Sequence, residues 1–457
     1  MGCKPKLFKS NMQNSREKLV IQNSEPLSGE VSISGAKNAV LKLMAASLLP
    51  KDISVIKNVP ELSDVEIMID VLSELGAVID YDKEKSMLTV DSRNITSVVA
   101  SDIFVSKMRA SFVVLGPLVG RMREACVALP GGCRIGERRV DFHIKGLEAM
   151  GCQCNVKDGY VYVVAKELKG AEICFDIPSV GATENIMMAS VLACGTTVIQ
   201  NAAQEPEIVD LANFLNTMGA KIEGAGTNRI VITGVSQNEL HGAEHTTIPD
   251  RIEAGTYMSA VIATKGHAYI KNIYPNHLTI FTGKLLEMGA KIRLVEPQVM
   301  EVSNDGRLDA MNFITQPYPG FPTDLQALAM TLLSTANGIS VVTESLYENR
   351  FMHINELWRM GANIRQSNNH AIIKGVDYLV GTEVMCTDLR AGAALVVAAL
   401  MAKGESVVKE LHHIDRGYEK FTAKLRGLGA NIMRVPDDYS VDEFNVQDTV
   451  QPIKIKG

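Results

Sequence analysis

The sequence predicts an α/β protein of two domains, each built from three repeats of a helix–strand–helix–strand unit with further strands between. Three observations lead there. A phrase that ends a helix on a glycine recurs six times; a second phrase, a turn and a β-branched strand, precedes most copies; and a polar stretch divides the copies three and three. The 457 residues, 46% of them hydrophobic, are enough to bury a large core shared between two or three domains.

The first phrase reads "LSELGAVID" (72–80), "LEAMGCQCN" (147–155), "LNTMGAKIE" (215–223), "LLEMGAKIR" (285–293), "LWRMGANIR" (357–365) and "LRGLGANIM" (425–433). Its glycines are Gly76, Gly151, Gly219, Gly289, Gly361 and Gly429, with gaps of 75, 68, 70, 72 and 68 residues. Leucine and Leu or Met three residues apart give the apolar face of a helix. Glycine supplies the left-handed C-terminal turn, and an alternating strand follows. Six unrelated helix ends would not fall at so regular a spacing.

The second phrase is "LPKDISVIKNV", "ACGTTVIQNA", "TKGHAYIKNI", "TANGISVVTES" and "AKGESVVKEL", a helix end, a turn and a strand rich in β-branched residues. The copy before Cys133, "GRMREACVALPGG", is distorted. Solenoid repeats are shorter than these, so a closed globular arrangement is expected rather than a rod. The polar stretch "GAEHTTIPDRIEAG" (242–255) is the expected boundary, with a cleft between the halves.

Composition excludes several functions. A net charge of −6 and no basic aromatic motif argue against nucleic-acid binding. Eight scattered cysteines without a CxxC pair point to a reducing compartment, and neither Cys152 nor Cys154 has metal-ligand spacing with a partner. Residues 1–18 carry Lys4, Lys6 and Lys9 and no apolar core, and the longest uncharged helical stretch, 391–402, is too short to span a bilayer. A soluble cytoplasmic protein is expected, without a membrane partner.

Four polar clusters stand out. In "SISGAKNAVLK" (32–42), Lys37 and Asn38 open an apolar helix after Gly35, a plausible anion site at a helix start, though a surface lysine is ordinary there. "LPGGCRIGERRVDFH" (129–143) places Cys133 among Arg134, Arg138 and Arg139, a setting that favours a thiolate. In "PYPGFPTDLQALAM" (317–330), Asp324 stands where a helix begins; it is either an N-cap or, facing the cleft, a base. Finally "ENRFMH", "TDLRAGAAL" and "HHIDRGYEK" offer Arg350, Arg390 and Arg416. The ordinary reading of the last two is a surface ion pair with Asp388 or Asp415. The alternative is that Lys37, Arg138, Arg350, Arg390 and Arg416 converge on one multiply charged anion.

"SGAKNA", "RASFVVLGPLV", "LPGGCRIGERRVDFH", "PSVGATENIM", "NAAQEPEIVDLANFL", "PDRIEAGTY", "FPTDLQA", "ENRFMHINEL", "TDLRAGAAL" and "HIDRGYE" resemble, in order, the motifs of the UDP-N-acetylglucosamine 1-carboxyvinyltransferases, a family of enolpyruvyl transferases. The likeness covers roughly residues 19–436. It implies two inside-out α/β barrels, each of three βαβαββ units. One domain spans 37–248. The other comprises 1–36 and 249–457, with polar extensions at 1–18 and 437–457. It also implies transfer of the enolpyruvyl group of phosphoenolpyruvate to the sugar 3-hydroxyl of UDP-N-acetylglucosamine, with release of phosphate and no metal or organic cofactor, at the entry to peptidoglycan synthesis.

The resemblance gives each matching residue a role. Cys133 is the general acid and the site of covalent adducts, including one with fosfomycin. Asp324 deprotonates the sugar hydroxyl. Lys37, Arg138 and Arg416 bind phosphate, Arg350 and Arg390 face the pyruvyl carboxylate, and Asn38 joins the phosphoenolpyruvate site. Asn38, Arg109, Val140, Asp141, Phe142, Ser179, Val180, Asp324 and Leu346 hold the nucleotide sugar. Arg139 departs from the proline, and Ile177 from the lysine, that some members carry. Two rivals are an enolpyruvylshikimate-phosphate synthase, whose cleft lacks the cysteine loop, and a non-catalytic paralogue that binds the nucleotide sugar.

Overall fold

The computed structural model describes residues 17–101, 108–129 and 140–439. Among them are six four-stranded sheets of one pattern. Each holds two parallel strands, which in four of the sheets flank a buried helix, and an antiparallel strand and an outer strand complete it. The sheet of the fifth repeat is typical: Phe313–Ile314 runs parallel to Ile339–Thr343, which pairs antiparallel with His370–Lys374, itself paired to Asn363–Ser367. Alternation sets one face inward. In Ile339–Thr343, Ser340 and Val342 are buried while Ile339 and Val341 are exposed.

Six helices are buried almost all round. Lys37–Ala46, Leu115–Met122 and Val180–Ser190 centre one core; Arg251–Ala263, Gln326–Leu333 and Leu389–Met401 centre the other. Helices apolar on every side belong inside, so the sheets lie outside them and the barrel is inside-out. The uncharged run 391–402 is one of these central helices. Among the described residues no helix is long and apolar enough to cross a membrane.

The six repeat glycines all take positive φ, from 89° to 104°, as the helix-ending reading requires. The distorted copy still makes its strand, Glu124–Ala128. Arg123 takes a left-handed φ of 61° at its turn, where three other copies place Gly195, Gly338 and Gly404. Cys152 is buried before its strand and Cys154 half-buried within it, both packed into the core.

Two strands join distant parts of the chain. Glu17–Gln22 pairs antiparallel with both Glu405–Lys409 and Ile432–Pro436, and Ser28–Ser32 pairs parallel with His267–Lys271. The chain then crosses to the first core and returns beside its own outward path. Gly35 bridges Pro249, the Ala36 amide donates to Ile248 O (2.7 Å), and the Asp250 amide donates to Ser34 O (2.9 Å). A Cβ on Gly35 would lie 1.8 Å from Asn58 O, so only glycine fits this crossing.

Candidate active site

Both crossings end at helix starts. Asp250 caps Arg251–Ala263, accepting from the amides of Ile252 (2.8 Å) and Glu253 (3.1 Å), and its second oxygen accepts from the Lys37 amide (3.3 Å). One carboxylate thus serves two helix N-termini, where its charge opposes both dipoles.

Lys37 and Arg416 meet on a residue that the sequence did not single out. Asp64, in the first turn of Ser63–Glu74, receives Lys37 Nζ at 2.8 Å on Oδ2. Arg416 Nε lies 2.9 Å from Oδ1, and Nη2 lies 3.4 Å from Oδ2. Burial lowers the Lys37 pKa, and Arg416 and Arg390 lower it further, against the pull of Asp64. Burial raises that of Asp64, but Lys37 and Arg416 outweigh it and hold the carboxyl below its usual range.

Arg350 and Arg390 meet on Asp324. Arg350 Nη2 donates to Oδ1 at 2.7 Å and Arg390 Nε to Oδ2 at 3.1 Å. Arg350 Nη1 also donates to Thr323 Oγ1 (3.0 Å), whose hydroxyl reaches Glu344 (2.9 Å). Glu344 fixes the loop beyond it by accepting from the amides of Leu346 (2.9 Å) and Tyr347 (3.2 Å). The Arg390 guanidinium lies 5.3 Å from the Tyr418 ring centroid. Tyr418 stands two residues beyond Arg416, so this contact brings the second cation pair beside the first.

The ordinary readings of these residues fail. Asp324 sits inside a short 3₁₀ turn, Thr323–Leu325, and no side-chain cap bond occurs there or at the helix that follows. Asp388 caps its helix through the amides of Arg390 and Ala391, leaving the buried Arg390 side chain to Asp324. Asp415 takes both Nη groups of Arg434 at 2.7 Å, not Arg416. A local window offers the nearest opposite charge, whereas folding supplied carboxylates from other units.

Val140, Asp141 and Phe142 lie at the start of the Asp141–Ala149 helix, and Ser179 and Val180 at the start of Val180–Ser190, where Ser179 Oγ accepts from the Ala182 amide (3.4 Å). The two helices are tied by His143 Nδ1 and Asn185 Nδ2 (2.9 Å), and Phe142 meets Phe175 at 5.8 Å. Asp141 Oδ1 is buried without a hydrogen-bond partner among the described residues. Asn38 follows Lys37 on its helix and offers its carbonyl to Lys42 Nζ (3.0 Å). Arg109 opens the 3₁₀ segment Arg109–Val114. Leu346 belongs to the Glu344 loop, and Ile177 is exposed. Cys133, Arg134, Arg138 and Arg139 lie outside the described residues.

Of the other cysteines, Cys126, Cys152, Cys154 and Cys386 are all pushed up by burial, Cys152 to about 11 and Cys154 to about 12, so these four are thiols at neutral pH. No group of His, Cys, Asp and Glu among the described residues is arranged to hold a metal.

A family model described as EPSP synthase (3-phosphoshikimate 1-carboxyvinyltransferase) matches residues 21–425. The chain is 53% identical over 422 residues to UDP-N-acetylglucosamine 1-carboxyvinyltransferase 2 of Carboxydothermus hydrogenoformans, covering 92% of this chain and 100% of that one. It is 51% identical over 419 residues to UDP-N-acetylglucosamine 1-carboxyvinyltransferase 1 of Caldanaerobacter subterraneus, covering 92% and 100%. Among solved structures, the enolpyruvyl transferase NikO from Streptomyces tendae superposes with a TM-score of 0.83 at 25% identity, covering 92% of this chain and 99% of that one.

Proposed function

Because the chain belongs to the enolpyruvyl transferase family, we propose that it transfers the enolpyruvyl group of phosphoenolpyruvate to the 3-hydroxyl of UDP-N-acetylglucosamine and releases phosphate, the first committed step of peptidoglycan synthesis. One observation carries the chemistry: two adjoining cation pairs, Lys37 with Arg416 and Arg350 with Arg390. Phosphoenolpyruvate bears a phosphate and a carboxylate, and two adjoining pairs suit two adjoining anionic groups.

In this reading the sugar oxygen forms a bond to C2 of the enolpyruvyl group while its proton passes to Asp324. A proton from Cys133 goes to C3, giving a tetrahedral intermediate. The Cys133 thiolate then takes a proton back from C3, the double bond re-forms, and the bond from C2 to the phosphate oxygen breaks, its electron pair leaving with phosphate. The reaction involves no net oxidation, and the protein supplies acid, base and charge. Lys37, Arg138 and Arg416 take the phosphate, Arg350 and Arg390 the carboxylate. The paired helix starts at Val140–Phe142 and Ser179–Val180, with Asn38, Arg109 and Leu346, hold the nucleotide sugar. Residues 37–248 and residues 1–36 with 249–457 act as two domains that close on the substrates and exclude water. Fosfomycin opens its epoxide on the Cys133 thiolate, forming a carbon–sulfur bond as the carbon–oxygen bond breaks. We place the reaction in the cytoplasm.

The test is phosphate release by the purified protein. It is expected only when both phosphoenolpyruvate and UDP-N-acetylglucosamine are present. Release with shikimate 3-phosphate as the acceptor instead would favour the synthase reading, and release with neither acceptor would leave a binding paralogue.

A further inference from the structure

We propose that Asp64 is a positioning residue of the phosphate subsite: it gathers Lys37 and Arg416, which reach it from opposite cores, into the arrangement that receives the transferred phosphate. The inference rests on the enolpyruvyl-transfer reading above.

The geometry is specific. Asp64 is in the first turn of its helix yet does not cap it; Leu62 precedes that helix and no side-chain cap bond is made. Its side chain is 1% exposed, and both oxygens face cations, Oδ2 toward Lys37 and Oδ1 toward Arg416. Lys37 stands at the start of a central helix of the first core, while Arg416 follows the short His412–Asp415 helix of the second, 352 residues from Asp64. A carboxylate buried this deeply is retained only with strong partners. Here it is also a contact that brings the two cores to one point. Asp64 need not touch the substrate; it acts through the two cations.

It also sets the charge on Lys37. Among the described residues the amine meets Asp64, which also holds Arg416, with the Arg390 charge acting on it from the second pair and Asp250 at the backbone of its helix start. On the neighbouring helices, Lys42 is engaged by Glu184 (3.3 Å) and Glu207 by Arg251 (3.0 Å). Without Asp64, burial and two guanidiniums would all favour the neutral amine, a poor partner for phosphate.

The experiment measures kcat and KM for both substrates in Asp64→Asn. At about pH 7 its kcat/KM for phosphoenolpyruvate is expected to fall about tenfold, and by about tenfold more at about pH 9, with KM for the nucleotide sugar within about twofold of wild type. Asp64→Glu keeps the charge and should lose phosphoenolpyruvate efficiency without the added alkaline loss. A deficit independent of pH in Asp64→Asn, or one shared equally by both substrates, would overturn the proposal. Should Asp64→Asn fail to fold by circular dichroism, Asp64→Glu decides alone: a phosphoenolpyruvate-specific loss supports the role, and an equal loss for both substrates removes it. If wild type releases no phosphate from the two substrates, the transfer reading itself falls, a result separate from any difference between variants.

Discussion

Asp324→Asn separates a base from a binding group. The substitution keeps volume and one acceptor oxygen but removes charge and basicity. In the structure that carboxylate takes two charge-assisted hydrogen bonds, from Arg350 at 2.7 Å and Arg390 at 3.1 Å. A substrate carboxylate arriving at these arginines competes with Asp324 for them, and each such bond is worth about 1.5–3 kcal/mol. The amide is a weaker competitor, so KM for phosphoenolpyruvate should stay level or fall. Loss of a general base costs about 100- to 10,000-fold in turnover, or roughly 3–5 kcal/mol of barrier. The assay is steady-state phosphate release with each substrate varied, alongside a thermal melt to establish folding. A kcat within a few-fold of wild type would refute the role of base. So would a rise in KM for phosphoenolpyruvate that carried the whole loss, because Asp324 would then act in binding alone.

Fosfomycin is expected to add once per chain at Cys133, faster with the nucleotide sugar present; peptide mass mapping that finds Cys126 or Cys152 modified instead would misplace the reactive loop. Burial pushes Glu184 up to about 7 from 4.5, with Lys42 opposing, so the folded state holds its proton more tightly than the unfolded chain. That stabilisation is full below about pH 4.5 and is lost as pH rises through about 7, roughly 3 kcal/mol relative to Glu184→Gln; parallel denaturation curves for the two proteins across this window would contradict it. Tyr257 is buried and its hydroxyl has no hydrogen-bond partner among the described residues. Tyr257→Phe should therefore be neutral or stabilising by about 1–2 kcal/mol in chemical denaturation, and a clear loss would reveal a hidden partner.

What was legible in the sequence was local or periodic. A helix stop needs a residue that tolerates positive φ, and glycine announces itself, so all six ends could be placed. Period-two burial fixed the repeat strands in the same way. Long-range pairing left no such mark. Glu17–Gln22 carries no local sign that its partners lie at the other end of the chain. Asp64 in "ELSDVE" reads as an ordinary acid in a first helical turn; its importance comes from Arg416, which no window around either residue contains. The nearest-neighbour rule also misassigned Asp388 and Asp415, since a helix cap and Arg434 claim them. The motif likeness named cations and base together, but the counter-charges between them required the folded chain.

Those counter-charges differ in a way that bears on how the site works. Buried cations are costly unless paired, and the protein pairs them with its own carboxylates. Asp64 has a side chain 1% exposed, whereas that of Asp324 is 27% exposed. An acid that must release its arginines to a substrate carboxylate and then take a proton needs a path out of its ion pairs, and Asp324 has one. Asp64 is enclosed, so in the proposed reaction the phosphate would join Lys37 and Arg416 while that carboxylate stays in place. On that proposal the carboxylate end of the site works by exchange and the phosphate end by addition. The same asymmetry supports the proposal that Asp324 is the base: binding of a substrate carboxylate at Arg350 and Arg390 would itself free Asp324 to accept the proton of the sugar hydroxyl.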